Sequence, residues 1–249
     1  LWKPANSAEA EGVVILIPSA GENADWPQAI APLRRKLPDA AWSTLSLSLP
    51  DVSVDTLPPR VIEPPTAAVD TSSKEGSTAA KPVEQAASAE AEGTDPAVVP
   101  GADEQDKTDA KRIFDRIDAA VAFAQTQSAR SVVLLGHGTG AWWAARYLSE
   151  KQPSQVQRLV MVAGKTPAAR QPDLQQLAPA LKVPTADVFY QEGAQDRKNA
   201  QERLQAAKRS KNDGYKQVSL TALPGNSAAQ QEQLYRRVRG WLSPQGGAD

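Results

Sequence analysis

Four aliphatic residues, Val132–Leu135, run straight into Gly136-His137-Gly138-Thr139-Gly140 and from there into a helical stretch, Gly140–Glu150. A continuous apolar run of this length suits a strand buried on both faces. The glycines that bracket the next turn leave it so tight that a side chain would strike the neighbouring strand or helix. A strand hidden on both faces needs helices above and below it. The chain is therefore read as α/β, with a mainly parallel sheet covered on both faces.

The flanking sequence agrees. Gly12–Ile17 (GVVILI) is a second buried strand, closed by Pro18, Ser19, Ala20 and Gly21. Helical spacing follows at Trp26, Ile30, Leu33 and Leu37, with Pro27 near the start and Pro38 beyond the end. Trp42–Leu49 alternates as a strand does. A long amphipathic helix is expected from Asp106 to Gln127, and further strands over 158–162, 188–190 and 218–223. Helices over 197–210 and 230–241 complete the alternation.

Residues 54–104 differ in kind. They are rich in Ala, Pro, Ser, Thr, Glu and Gly, and they lack aromatic residues and any sustained period. Such a stretch buries too little apolar surface to offset backbone ordering, roughly 1–2 kcal/mol per residue. It is read as a disordered insertion within one domain spanning 10–243, because the residues before it are too few to fold alone. Its charge is distinctive: residues 51–110 hold 4 basic and 13 acidic groups, while residues 111–249 hold 20 basic and 11 acidic. The insertion is read as a solvated acidic linker, the sharper alternative being a flap over a basic face.

The formal net charge of -1 provides no field for nucleic acid. No cysteine is present and His137 is the only histidine, so no metal centre or cofactor is expected. No apolar run is long enough to span a bilayer. The chain opens on Leu1 rather than methionine, from which an upstream segment, a signal peptide among the options, is expected to have been removed. Trp142 and Trp143 are read as core. Arg236, Arg237 and Arg239 are read as a solvated helix face, with a basic docking patch as the alternative.

Ile15–Trp26 (ILIPSAGENADW), Ala31–Asp51 and the glycine turn together resemble the α/β-hydrolase superfamily. More closely they resemble an uncharacterised bacterial family related to those hydrolases and met in proteobacterial cell-envelope contexts. The similarity covers about 10–53 and 106–243. It implies that Gly136–Gly140 is a nucleophile elbow, the pattern G-x-S-x-G, but the serine position holds Gly138. It implies an oxyanion turn at Ser19–Gly21, whose backbone amides would remain to form the hole. The acid position falls near Glu192 or Asp196, and the histidine position holds Pro224, Gly225 and Asn226. The elbow is degenerate: two members of the triad have no counterpart.

Ser19, Glu192 and Asp196 are the candidates for substitute chemistry, and Thr139 is expected to point away from the oxyanion turn. Ser19, Ala20, Gly21, Gly138 and Thr139 mark the former pocket. The expected function is binding or scaffolding with a protein partner, in the periplasm or cell envelope. An esterase using non-triad residues and a carrier of a small apolar or acyl ligand are the alternatives.

Overall fold

The aliphatic runs at 12–17, 132–135 and 158–162 are strands in the computed structural model, which describes residues 1–51 and 102–243. In chain order these are β1 (Trp2–Lys3), β2 (Gly12–Ile17), α1 (Ile30–Lys36), β3 (Trp42–Ser46), α2 (Ala102–Thr126), β4 (Val132–His137) and α3 (Thr139–Lys151). Then follow β5 (Val156–Val162), α4 (Leu174–Ala180), β6 (Thr185–Tyr190), α5 (Ala194–Arg209), β7 (Tyr215–Leu220) and α6 (Ser227–Leu242).

The strands form one sheet in the order β1-β3-β2-β4-β5-β6-β7. Among the described residues only the β1–β3 pair is antiparallel. Alternate residues serve opposite faces, as strand geometry requires. Val13, Ile15 and Ile17 meet Ile113, Phe114 and Ile117 of α2 and both tryptophans of α3. Val14 and Leu16 meet Leu33 of α1 and Leu234, Val238 and Leu242 of α6. The sheet is buried on both faces, and the fold is the α/β class expected.

β2 is the hinge of the topology. The chain steps from it to β3 on one side and returns to β4 on the other, so connections leave β2 and β4 in opposite directions. In open parallel sheets this divergence opens a crevice at the carboxyl ends of the two strands. Ser19 lies just past β2 and Gly138 just past β4.

Several boundaries differ from expectation. α1 begins at Ile30 rather than near Trp26, because Pro32 has no N–H and is tolerated only in a first turn. β7 begins at Tyr215 and ends at Leu220, three residues ahead of the expected span, because Tyr215 and Gln217 bury their polar ends against Asp187. α4 and β1, both short, were not anticipated. The acidic insertion lies outside the described residues except at 102–104, which open α2 instead of continuing the insertion. Trp142 and Trp143 are core, at 0% and 1% exposure.

Candidate functional site

The turn between β4 and α3 has the backbone of an elbow. Gly138 sits at φ 54°, ψ -121°, a conformation that strains any L side chain. A Cβ on Gly136 would fall inside van der Waals contact with the Ala141 backbone, and one on Gly140 would strike the carbonyls of Ile17 and Pro18. Both flanking glycines are therefore obligatory. Gly138 is fixed by its neighbours: its N–H donates to Val162 O at 3.0 Å, and its carbonyl accepts from Lys165 N–H at 3.0 Å.

At Gly138 the restriction has a different source. A Cβ there would lie 2.7 Å from Ser19 Oγ and 2.9 Å from Ser19 Cβ. The Ser19 side chain thus occupies the space into which a side chain at the elbow's central position would project. It is held there by Thr139, whose N–H donates to Ser19 Oγ at 3.1 Å and whose Oγ1 lies 3.0 Å from it. Thr139 Oγ1 also accepts the Ala20 N–H at 2.8 Å. Thr139 therefore points into the turn after β2, not away from it. Its hydroxyl, at the first position of α3, reaches back to Ser19 and Ala20.

Glu22 completes the cluster, and the sequence reading missed it. Its Oε2 accepts the Ser19 N–H at 2.9 Å and lies 2.7 Å from His137 Nδ1. Both side chains are largely buried, at 12% and 14% exposure. The available signal was the S-x-x-E spacing of Ser19 to Glu22, in which the glutamate reaches back to the first residue's N–H. A lone histidine after a buried strand was a second sign, since it needed a partner.

Acyl transfer needs donors aimed at a developing oxyanion, normally the N–H after the nucleophile and one from the turn after an earlier strand. Here the Thr139 N–H is bound to Ser19, the Ser19 N–H to Glu22 and the Ala20 N–H to Thr139. Of the Ser19–Gly21 amides expected to remain as a hole, those of Ser19 and Ala20 are satisfied internally. Gly21 turns outward at φ 77°, with open space around its missing side chain.

The remaining candidates stand apart from this cluster. Among the described residues, neither Glu192 nor Asp196 makes a hydrogen bond or ion pair with Ser19, His137 or Thr139. Asp196 packs over Gly193 at the start of α5 and lines a 410 Å³ cleft with Lys165, Thr166, Gln195 and Asn199. Beyond β7, Asn226 Oδ1 accepts the Ala229 N–H at 3.0 Å and caps α6. No group of His, Asp and Glu suited to hold a metal ion occurs among the described residues. No described helix is long and apolar enough to cross a membrane.

A family model described as "Protein of unknown function (DUF3530)" matches residues 1–244. The chain belongs to this family. Among solved structures, this DUF3530 protein is similar to a monoacylglycerol lipase from Paleococcus ferrophilus, with 12% identity, a TM-score of 0.54, and 97% and 98% of the two chains covered. It is similar to MenH from S. aureus, with 9% identity, a TM-score of 0.59 and 97% of each chain covered. A dienelactone hydrolase from Anabaena variabilis gives 13% identity, a TM-score of 0.58, and 96% and 87% coverage. These likenesses establish the α/β-hydrolase fold. No curated protein matches the chain by sequence.

Proposed function

We propose that this protein is a catalytically degenerate α/β-hydrolase that acts by binding or scaffolding, with another protein as its partner. The observation that carries the reading is the filled elbow. Gly138 supplies no nucleophile, and Ser19 takes the volume a nucleophile's side chain would need. The Thr139, Ser19 and Ala20 amides are already bonded, so an oxyanion would meet no waiting donor among these three. A triad hydrolase stripped of its nucleophile or base retains only roughly 10³–10⁴-fold acceleration over water, from its oxyanion hole and substrate binding. A work site in the cell envelope, implied by the resemblance, belongs to the same proposal.

The alternatives draw less support. Ser19 as a nucleophile needs a base, and its hydroxyl is bonded to Thr139 while His137 is bonded to Glu22. An acyl carrier needs an apolar pocket, but the cleft at Lys165, whose N–H is bonded to Gly138 O, is lined by Thr166, Gln195, Asp196 and Asn199. The test is labelling with a fluorophosphonate probe, read by intact mass, alongside turnover of short p-nitrophenyl esters. The expected result is no adduct and no turnover above heat-denatured protein. A specific adduct on Ser19 or Thr139 with turnover would replace this reading with the esterase.

A further inference from the structure

We infer that the open edge of β7, with the lysine-lined groove beside it, is a docking site for an extended acidic segment of a partner protein. The site lies at the amino-terminal end of β7, across the sheet from the elbow, so it holds whether or not the elbow is catalytic.

The first observation is an unpaired strand edge. Among the described residues β7 is the last strand of the sheet and pairs only with β6. Thr185 N–H donates to Gly214 O and Gln191 N–H to Leu220 O, which fixes the phase of the ladder. Neighbouring residues of a parallel strand face opposite edges, so Lys216 and Val218 turn their backbone groups to β6. Gln217 and Ser219 turn theirs outward. Among the described residues no partner takes those outward N–H and C=O groups. An added strand pairs with such an edge through main-chain bonds.

The second observation is charge. A groove of 660 Å³ runs along this end of β7, lined by Lys208, Lys211 and Lys216 with Leu204, Tyr215 and Gln217. Asp213 is its only acidic lining residue. The three lysines are exposed, and none of them forms an ion pair among the described residues. Natural edge strands use lysine to repel other strands. The same lysines select a strand that brings carboxylates.

A second copy of this chain is a poorer occupant. In a two-fold pairing of β7 with itself, the lysine end meets the far end of the partner strand and the loop beyond it. Ser219–Gly225 holds no carboxylate.

The test uses the full chain and a short fluorescein-labelled peptide of glutamate and valine, followed by anisotropy, with a lysine–valine peptide as control. The expected result is saturable binding of the acidic peptide alone, weakening steeply with salt. Converting Lys208, Lys211 and Lys216 together to glutamine should weaken it by about tenfold or more. Ser219→Pro removes an outward N–H and leaves the β6–β7 ladder whole, so it should weaken binding comparably while the melting temperature holds. Equal binding by wild type and the lysine variant, or no binding at all, would overturn the inference. So would equal competition by duplex DNA, which would mark a general polyanion patch. Dimerisation in sedimentation that Ser219→Pro abolishes would reassign the edge to a second copy.

Discussion

Two polar clusters sit on this sheet, and they are built on opposite principles. Past the ends of β2 and β4, short hydroxyl side chains and backbone amides bond to one another, with Glu22 and His137 behind them. Under α5, Asp187 holds Arg203 through two bonds of 2.8 and 3.1 Å. It also accepts the Tyr215 hydroxyl at 2.5 Å and Gln217 Nε2 at 2.9 Å. Asp187 is wholly buried and Arg203 nearly so. Burial, and then the adjacent Asp187 charge, push the Tyr215 phenol far above its ordinary range.

Strongly shifted titration in a buried site often marks catalysis. Here it marks the structural cluster, whose four side chains bond to one another between β6, β7 and α5. The cluster at the elbow is made instead of groups that fill space and occupy amides.

The comparison can be broken most forcefully at Asp187. Asp187→Ala leaves the Arg203 guanidinium buried without its partner and should cost about 3–5 kcal/mol. Urea unfolding measures it, and a loss below about 1 kcal/mol would mean the cluster is not structural. Asp187→Leu combined with Arg203→Met should recover most of the loss, as apolar replacements of buried pairs do.

The elbow offers the next largest effect. Gly138→Ala adds backbone strain and a contact with Ser19, for a loss of about 1–3 kcal/mol. Ser19→Gly should relieve the contact part of that cost, so the double variant should be more stable than the two single losses imply. Additive losses would show that Ser19 does not occupy the space. The smallest effect concerns acid. Burial raises the Asp106 carboxyl, but hydrogen bonds from Arg146 and Arg170, with their charges, outweigh it, and the net direction is down. Its stabilisation is therefore present above the ordinary aspartate range and lost as pH falls through the lower folded-state value. Asp106→Asn should flatten the acid limb of a melting-temperature profile, and an unchanged limb would remove Asp106 from the account.

What was legible beforehand followed from local patterns. Val132–Gly140 announces strand, turn and helix within nine residues, because buried strands and tight turns each restrict residue type. Gly138 and the lack of a second histidine could be read directly. The seating of Ser19 against Gly138 could not, since those residues are 119 apart and meet only because β2 and β4 are neighbours. Thr139 was misjudged for the same reason. Tyr215–Gln217 read as loop because lysine and glutamine hide a strand whose burial depends on Asp187, a residue that looks unremarkable within its own segment.

Helix α2 also fastens both ends of the chain's long acidic stretch. Arg116 Nη1 donates to Ser48 O at 3.0 Å, and Arg112 Nη1 reaches Asp51 O at 3.4 Å. At the other end, Asp106 and Asp109 of α2 are bonded by Arg170, and Asp106 also by Arg146. Arg112 lies ten residues past Ala102, about 15 Å along the helix axis. The departure and return points are thus set by one rigid element and not by what runs between them. Halving the number of residues between 52 and 101 changes the closure cost by only about 0.6 kcal/mol. Length and composition there can therefore change at little cost to the hydrolase frame.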